Sequence, residues 1–117
     1  MKLLEVKRLL DAEVLCGEEL LDAEVDSAFG SDLMSDVLAF VNTRVLLLTG
    51  LVNPQVVRTA EMMDISAIVF VRGKQPGEEI IELAKSKNMV LLTTENTLYT
   101  ASGKLYLGGL TGEEKGE

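Results

Sequence analysis

Residues 45–94 read VLLLTGLVNPQVVRTAEMMDISAIVFVRGKQPGEEIIELAKSKNMVLLTT, and three apolar runs punctuate them: Val45–Thr49, Ala67–Val71 and Met89–Thr93. None of the three alternates between apolar and polar residues, which is the mark of strands buried on both faces. Between the first two, Asn53 and Pro54 place a cap and a first-turn proline before a helix that reaches about Asp64. Its Val56, Val57, Ala60 and Met63 share one face. Between the second and third, the turn-like Arg72–Gly77 leads into a helix with Ile80, Ile81 and Ala84 inward and Glu78, Glu79, Lys85 and Lys87 outward. Asn88 suits the position after that helix. The segment from about Glu95 to Leu107 reads as a last helix. Strand and helix therefore alternate as βαβαβα from about residue 45 to 107, and right-handed crossovers would align the three strands in a parallel sheet.

Working outward, Lys2–Leu10 places Leu3, Val6 and Leu10 at helical spacing, and Glu13–Cys16 reads as a short strand closed by Gly17. Glu18–Asp26 is an acidic connector into a short extended piece, Val25–Gly30. Ser31 is a good cap for a helix over Asp32–Val41, with Asp32 in the first turn. That helix carries Leu33, Met34, Val37, Leu38, Phe40 and Val41, more than one narrow stripe holds, so it is either buried on two sides or meets another subunit. The expected architecture is a single three-layer α/β domain over residues 1–110, with a mainly parallel sheet, an N-terminal helix and short strands. Residues 111–117 read as a flexible acidic tail.

The chain has 117 residues, 47% hydrophobic and 26% charged, the profile of one soluble domain. A domain of this size buries roughly 65% of the surface its unfolded chain exposes, enough for a core without staples. No apolar run approaches the ~18 residues of a membrane span, and the N-terminus lacks a signal-peptide pattern. With Cys16 as the single cysteine there is no internal disulfide, and a cytoplasmic location is expected. Cys16 itself reads as a small buried hydrophobe.

Absences narrow the chemistry. The chain has no histidine, which removes the commonest general base, the serine and cysteine triads and the usual zinc ligands. The net charge is −8, and nine acids with no base lie between Arg8 and Arg44. Such a balance disfavours nucleic acid and anionic membrane surfaces alike. Asp22, Glu24 and Asp26 open with EF-hand spacing, but Ser27 replaces the sharp-turn glycine and Leu33 the closing glutamate, so a solvated acidic face is the better reading. No phosphate loop exists: Ile68 stands where Gly73-Lys74 would need a glycine, and Gln75 follows. Gly103-Lys104 falls in a helix and precedes Leu105. No metal or cofactor is expected.

Ligands of open α/β sheets sit at the carboxyl ends of the parallel strands. Those ends hold Thr49, Gly50 and Asn53, then Arg72, Gly73 and Lys74, then Thr93 and Thr94. Helix N-termini face the same edge and favour anions. Arg72 offers a planar paired contact and Lys74 a mobile point charge, in an otherwise acidic protein. The alternative is a charged turn that serves solubility.

The stretch Thr49–Asp64, TGLVNPQVVRTAEMMD, continuing to Ala67–Gly73, AIVFVRG, resembles the DRTGG domain family. Asp11–Glu19 and Ser31–Phe40 fit its small stand-alone members, so that the resemblance covers about residues 1 to 110. It implies a fold similar to the N-terminal domain of HPr kinase/phosphorylase. It also implies the setting of related accessory modules in some phosphotransacetylases and CBS-containing pyrophosphatases, where the domain is associated with regulation or subunit contact. Aligned by strand ends, the name-giving Asp-Arg falls on Val52-Asn53 and Thr-Gly-Gly on Val71-Arg72-Gly73, where Gly73 alone agrees.

The expected function is a non-catalytic regulatory or protein-interaction module. The alternative is a sensor for a small anionic metabolite or nucleotide at the strand ends. No hydrolase, kinase or transferase activity is expected. A regulated partner protein and a homodimer are the expected partners. The dimer is assigned to the helix Asp32–Val41, with Met34, Met62 and Met63 as adaptable contact area.

Overall fold

A computed structural model describes residues 1–40 and 44–112. The elements run α1 (Leu3–Leu10), β1 (Glu13–Cys16), a short 3-10 turn (Glu18–Leu20), β2 (Ser27–Gly30), α2 (Met34–Phe40), β3 (Val45–Thr49), α3 (Pro54–Met62), β4 (Ala67–Phe70), α4 (Glu78–Ser86), β5 (Val90–Thr93) and α5 (Leu98–Leu107). The five strands form one sheet in the order β1-β5-β4-β3-β2. β2, β3, β4 and β5 are parallel, and β1 joins β5 antiparallel with an irregularity between Val14 and Cys16.

Successive residues of each central strand point to opposite faces, and both faces are covered. Leu46, Leu48, Ala67, Val69 and Leu92 pack with Leu3, Val6 and Leu10 of α1 and Ala101 and Leu105 of α5. Leu47, Ile68, Phe70 and Leu91 pack with Met34 and Val37 of α2, Val56, Val57 and Ala60 of α3, and Ile80 and Ala84 of α4. This two-sided burial is why β3, β4 and β5 read as unbroken apolar runs. The three layers and the parallel core expected from the sequence are all present.

Local signals also act as expected. Asn53 caps α3 by accepting the Gln55 N–H at 2.9 Å, with Pro54 in the first turn. Asn88 takes the left-handed backbone, φ 58°, after α4. Cys16 is buried and its thiol donates to the Met89 carbonyl at 3.5 Å. The acids Glu18, Glu19, Asp22, Glu24 and Asp26 stand in solvent, where Arg44 pairs with Glu24 and Asp26.

Two expectations change. The helix assigned to Asp32–Val41 begins at Met34, because Ser31 Oγ takes the Leu33 N–H at 3.0 Å and the Asp32 carboxylate turns back to β3. Val41 lies outside the described residues. Within α2, Met34 and Val37 point inward, while Leu38, and Leu33 just before the helix, stand exposed. Secondly, Thr111 and Gly112 are part of the sheet border: the Ala28 N–H donates to the Thr111 carbonyl at 3.0 Å, and Gly112 bridges Ala28 in parallel. The rest of the expected tail lies outside the described residues. No helix among the described residues is long and apolar enough to cross a membrane.

Candidate functional site

The carboxyl edge of the parallel strands is built from three strand ends and the loops that follow them. At the end of β3, Thr49 is fully buried, and its hydroxyl donates to Asp32 Oδ1 at 3.1 Å while accepting the Leu51 N–H at 3.1 Å. The Gly50 N–H donates to the same Asp32 oxygen at 2.7 Å. Asp32 thus closes off the strand end.

After β4, the chain turns sharply through Arg72 at φ 61° and Gly73 at φ 67°, with the Lys74 N–H donating to the Val71 carbonyl at 3.2 Å. Two consecutive left-handed residues across such a bond are the geometry of a primed β-turn. The second is glycine, which adopts it without strain. A Cβ on Gly73 would also come within 3.0 Å of both Glu95 carboxylate oxygens, so that carboxylate lies over the turn. The Arg72 N–H donates to the Asn96 carbonyl and the Gly73 N–H to the Thr94 carbonyl, each at 2.8 Å. The Arg72 side chain folds back across Gly50, where a Cβ would sit 2.6 Å from Nη2 and 3.5 Å from Asp32 Oδ2.

At the end of β5, the Thr93 hydroxyl donates to the Lys74 carbonyl at 2.7 Å. Thr94 turns to the opposite face, where its hydroxyl and Asn96 Nδ2 both donate to the Leu10 carbonyl at the end of α1. The structure therefore brings together Thr49, Gly50, Arg72 and Gly73, with Lys74 beside them. It uses Asn53 as a helix cap, Thr93 to hold the turn, and Thr94 to anchor α1.

Sequence reasoning did not find Asp32 and Glu95 here. Their signal is an acid directly after a strand of the parallel set, at Ser31-Asp32 and Thr94-Glu95. Arg72 and Lys74 take part in none of the ion pairs among the described residues. The edge thus places the Arg72 guanidinium near Asp32 and the Glu95 carboxylate over the Gly73 turn, with exposed Lys74 following in the chain. Such a mixture can hold an anion only if the same ligand also offers hydrogen-bond donors.

A second surface lies on the outer face of α5, which is capped by the Thr97 hydroxyl. Ala101 and Leu105 point into the core, whereas Tyr99 is 90% exposed, Tyr106 64% and Leu107 91%. Tyr99, Ser102, Gly103 and Tyr106 follow helical spacing along one face and line an open depression with Leu107. Nothing lies within 4 Å of where a Gly103 Cβ would be. Ser102 and Tyr106 also line the adjoining cleft against Ala28, Gly30 and Gly112.

A mostly parallel sheet covered on both faces, with its carboxyl edge laced by its own loops, defines a small three-layer α/β domain. The model of the DRTGG domain matches residues 5–106, and the chain belongs to that family. Among solved structures it is similar to the CBS and DRTGG domains of the regulatory region of Clostridium perfringens pyrophosphatase, complexed with its activator, diadenosine tetraphosphate. The TM-score is 0.71 at 22% identity, covering 89% of this chain and 45% of that one, a likeness of fold. The chain thus spans a little under half of that structure's chain. None of the curated proteins matches it.

Proposed function

We propose that this domain is a non-catalytic regulatory module that acts through protein contact, with a second copy of itself as the first partner. One observation carries the reading. The threonine hydroxyls and backbone N–H groups of the carboxyl edge are bonded inward, to Asp32, Asn96, Thr94 and Lys74, while large apolar side chains on α2, α3 and α5 are exposed. An enzyme of this class places reactive groups at that edge; here the hydroxyls of Thr49, Thr93 and Thr94 all donate to acceptors of the chain itself. Exposed apolar surface is the property of contact sites. A cytoplasmic setting fits the unpaired, buried Cys16. Sedimentation velocity on the full chain should show a dimer; a monomer at high micromolar concentration overturns self-association. A turnover abolished by one substitution, with folding intact, overturns the non-catalytic part.

The second reading is a sensor for a nucleotide or anionic metabolite at the strand ends. Its support is Arg72, which takes part in no ion pair among the described residues and lies near Asp32 over Gly50, with Glu95 over the neighbouring Gly73 turn and Lys74 next in the chain. Phosphate suits the two cations, and ribose hydroxyls or an amino group suit the carboxylates. The nucleotide activator of the Clostridium perfringens regulatory region is in keeping with this reading.

A further inference from the structure

We propose that α5 is the self-association surface: two copies cross antiparallel on a two-fold axis at Ser102 and Gly103. This placement rests on the self-association reading above and locates it on a face that the sequence reading did not choose. An isologous interface requires that if residue i touches residue j of the other copy, then j touches i. The exposed face of α5 is built that way. Tyr99 and Tyr106 lie two turns apart, roughly 10 Å along the axis at 1.5 Å per residue. The midpoint between them falls on Ser102 and Gly103, the small residues of that face. A two-fold axis there sets Tyr99 against the partner's Tyr106, Tyr106 against the partner's Tyr99, and Ser102 and Gly103 each beside its own copy. The small central pair lets the two helix backbones approach, and each ring covers the neighbouring helix. Leu107 extends the apolar contact at each end.

Charge selects this face over α2. Two copies of a chain with net charge −8 repel one another wherever carboxylates meet. Residues 96–112 contain no aspartate or glutamate, and Lys104 is their one charged residue. The competing face carries Leu33, Leu38 and Met62, but Asp32, Asp36 and Glu61 are interleaved with them. The acid-free stretch 96–112 thus also carries both exposed tyrosines.

The test uses the full chain with Tyr106→Glu, Leu38→Glu and Ser102→Cys. Tyr106 and Leu38 are exposed, so neither change should unfold the protein, which circular dichroism checks. Sedimentation should show a wild-type dimer, a dissociation constant at least tenfold higher for Tyr106→Glu, and no change for Leu38→Glu. Mild oxidation should link Ser102→Cys chains into a covalent dimer, because the two-fold axis brings both copies of that position together. A Tyr106→Glu chain that stays dimeric, or a Ser102→Cys chain that stays unlinked while the protein is dimeric, overturns this placement and leaves self-association standing. A wild-type monomer overturns the self-association reading itself.

Discussion

Asp32 takes the backbone N–H of Gly50 at 2.7 Å, joining the residues that follow two neighbouring parallel strands. With the Thr49 hydroxyl on the same oxygen, this carboxylate satisfies two donors of buried residues at the end of β3. Asp32→Ala leaves both without that acceptor and should cost about 1–3 kcal/mol. Asp32→Asn retains an acceptor oxygen and should recover most of the loss. Urea unfolding of the three chains measures the difference, and equal stability of Asp32→Ala and wild type would contradict this role.

Gly50→Ala should separate stability from ligand response. The added Cβ meets the mobile end of Arg72 at 2.6 Å, so the guanidinium swings away and the fold changes by less than about 1 kcal/mol. If the edge senses a nucleotide, the thermal shift produced by that nucleotide should fall in Gly50→Ala as it does in Arg72→Ala with Lys74→Ala. A nucleotide that raises the melting temperature of all these chains equally binds elsewhere.

Gly17→Ala should be far more damaging. Gly17 has φ 85°, and its Cβ would lie 2.8 Å from the Met89 carbonyl oxygen and 2.9 Å from the Val90 Cα. The backbone of Met89 and Val90 cannot step aside as a long side chain can. A loss of about 2–4 kcal/mol combines the overpacking and the strained conformation, and thermal unfolding reads it directly.

Gly103→Ala should move two measurements in opposite directions. In a helix interior, alanine is favoured over glycine by roughly 0.8–1 kcal/mol, and the site is open in the single chain. The melting temperature of dilute protein should therefore rise, while association through α5 weakens because the helices are held apart. A rise in both would place the crossing point elsewhere.

Cys16 sets a pH dependence. Burial pushes its thiol above the ordinary value, outweighing the opposing backbone hydrogen bond at Leu91. The folded thiol thus stays protonated where the unfolded one ionises. Its contribution is full below the unfolded value and is lost as pH rises toward and through the folded value. Stability should fall on the alkaline side, beginning near the ordinary thiol pKa of about 8.5, and this part of the slope should vanish in Cys16→Ala. Urea titrations across that range check it.

The parallel core is legible in the sequence because burial on two faces removes polar residues from whole strands, as in Val45–Leu48 and Ala67–Phe70. Asn53-Pro54 marks a helix start for equally local reasons. Asp32 misleads for the opposite reason. After Ser31 it looks like a first-turn acid, and its true partners, Thr49 and Gly50, are neighbours only once β2 lies beside β3. The surplus of apolar residues at 32–41 is real in Leu33 and Leu38. The outer face of α5 escapes notice because two tyrosines around Ser102-Gly103 make a weak hydrophobic pattern, and only the structure shows that Ala101 and Leu105 already fill the inward side.

The short stretch at Thr111 and Gly112 governs what a shortened chain does. β2 ends the sheet, and the Ala28 N–H on its outer side is taken by Thr111. At the other margin, β1 carries its own irregularity between Val14 and Cys16. A chain cut after Leu110 keeps its core but bares the outward Ala28 N–H at the β2 margin, onto which the margin of another molecule can knit. Such growth is open-ended, unlike the closed pairing of two helices. The cleaved protein should gather into fibrous aggregates under conditions where the longer chain stays in solution.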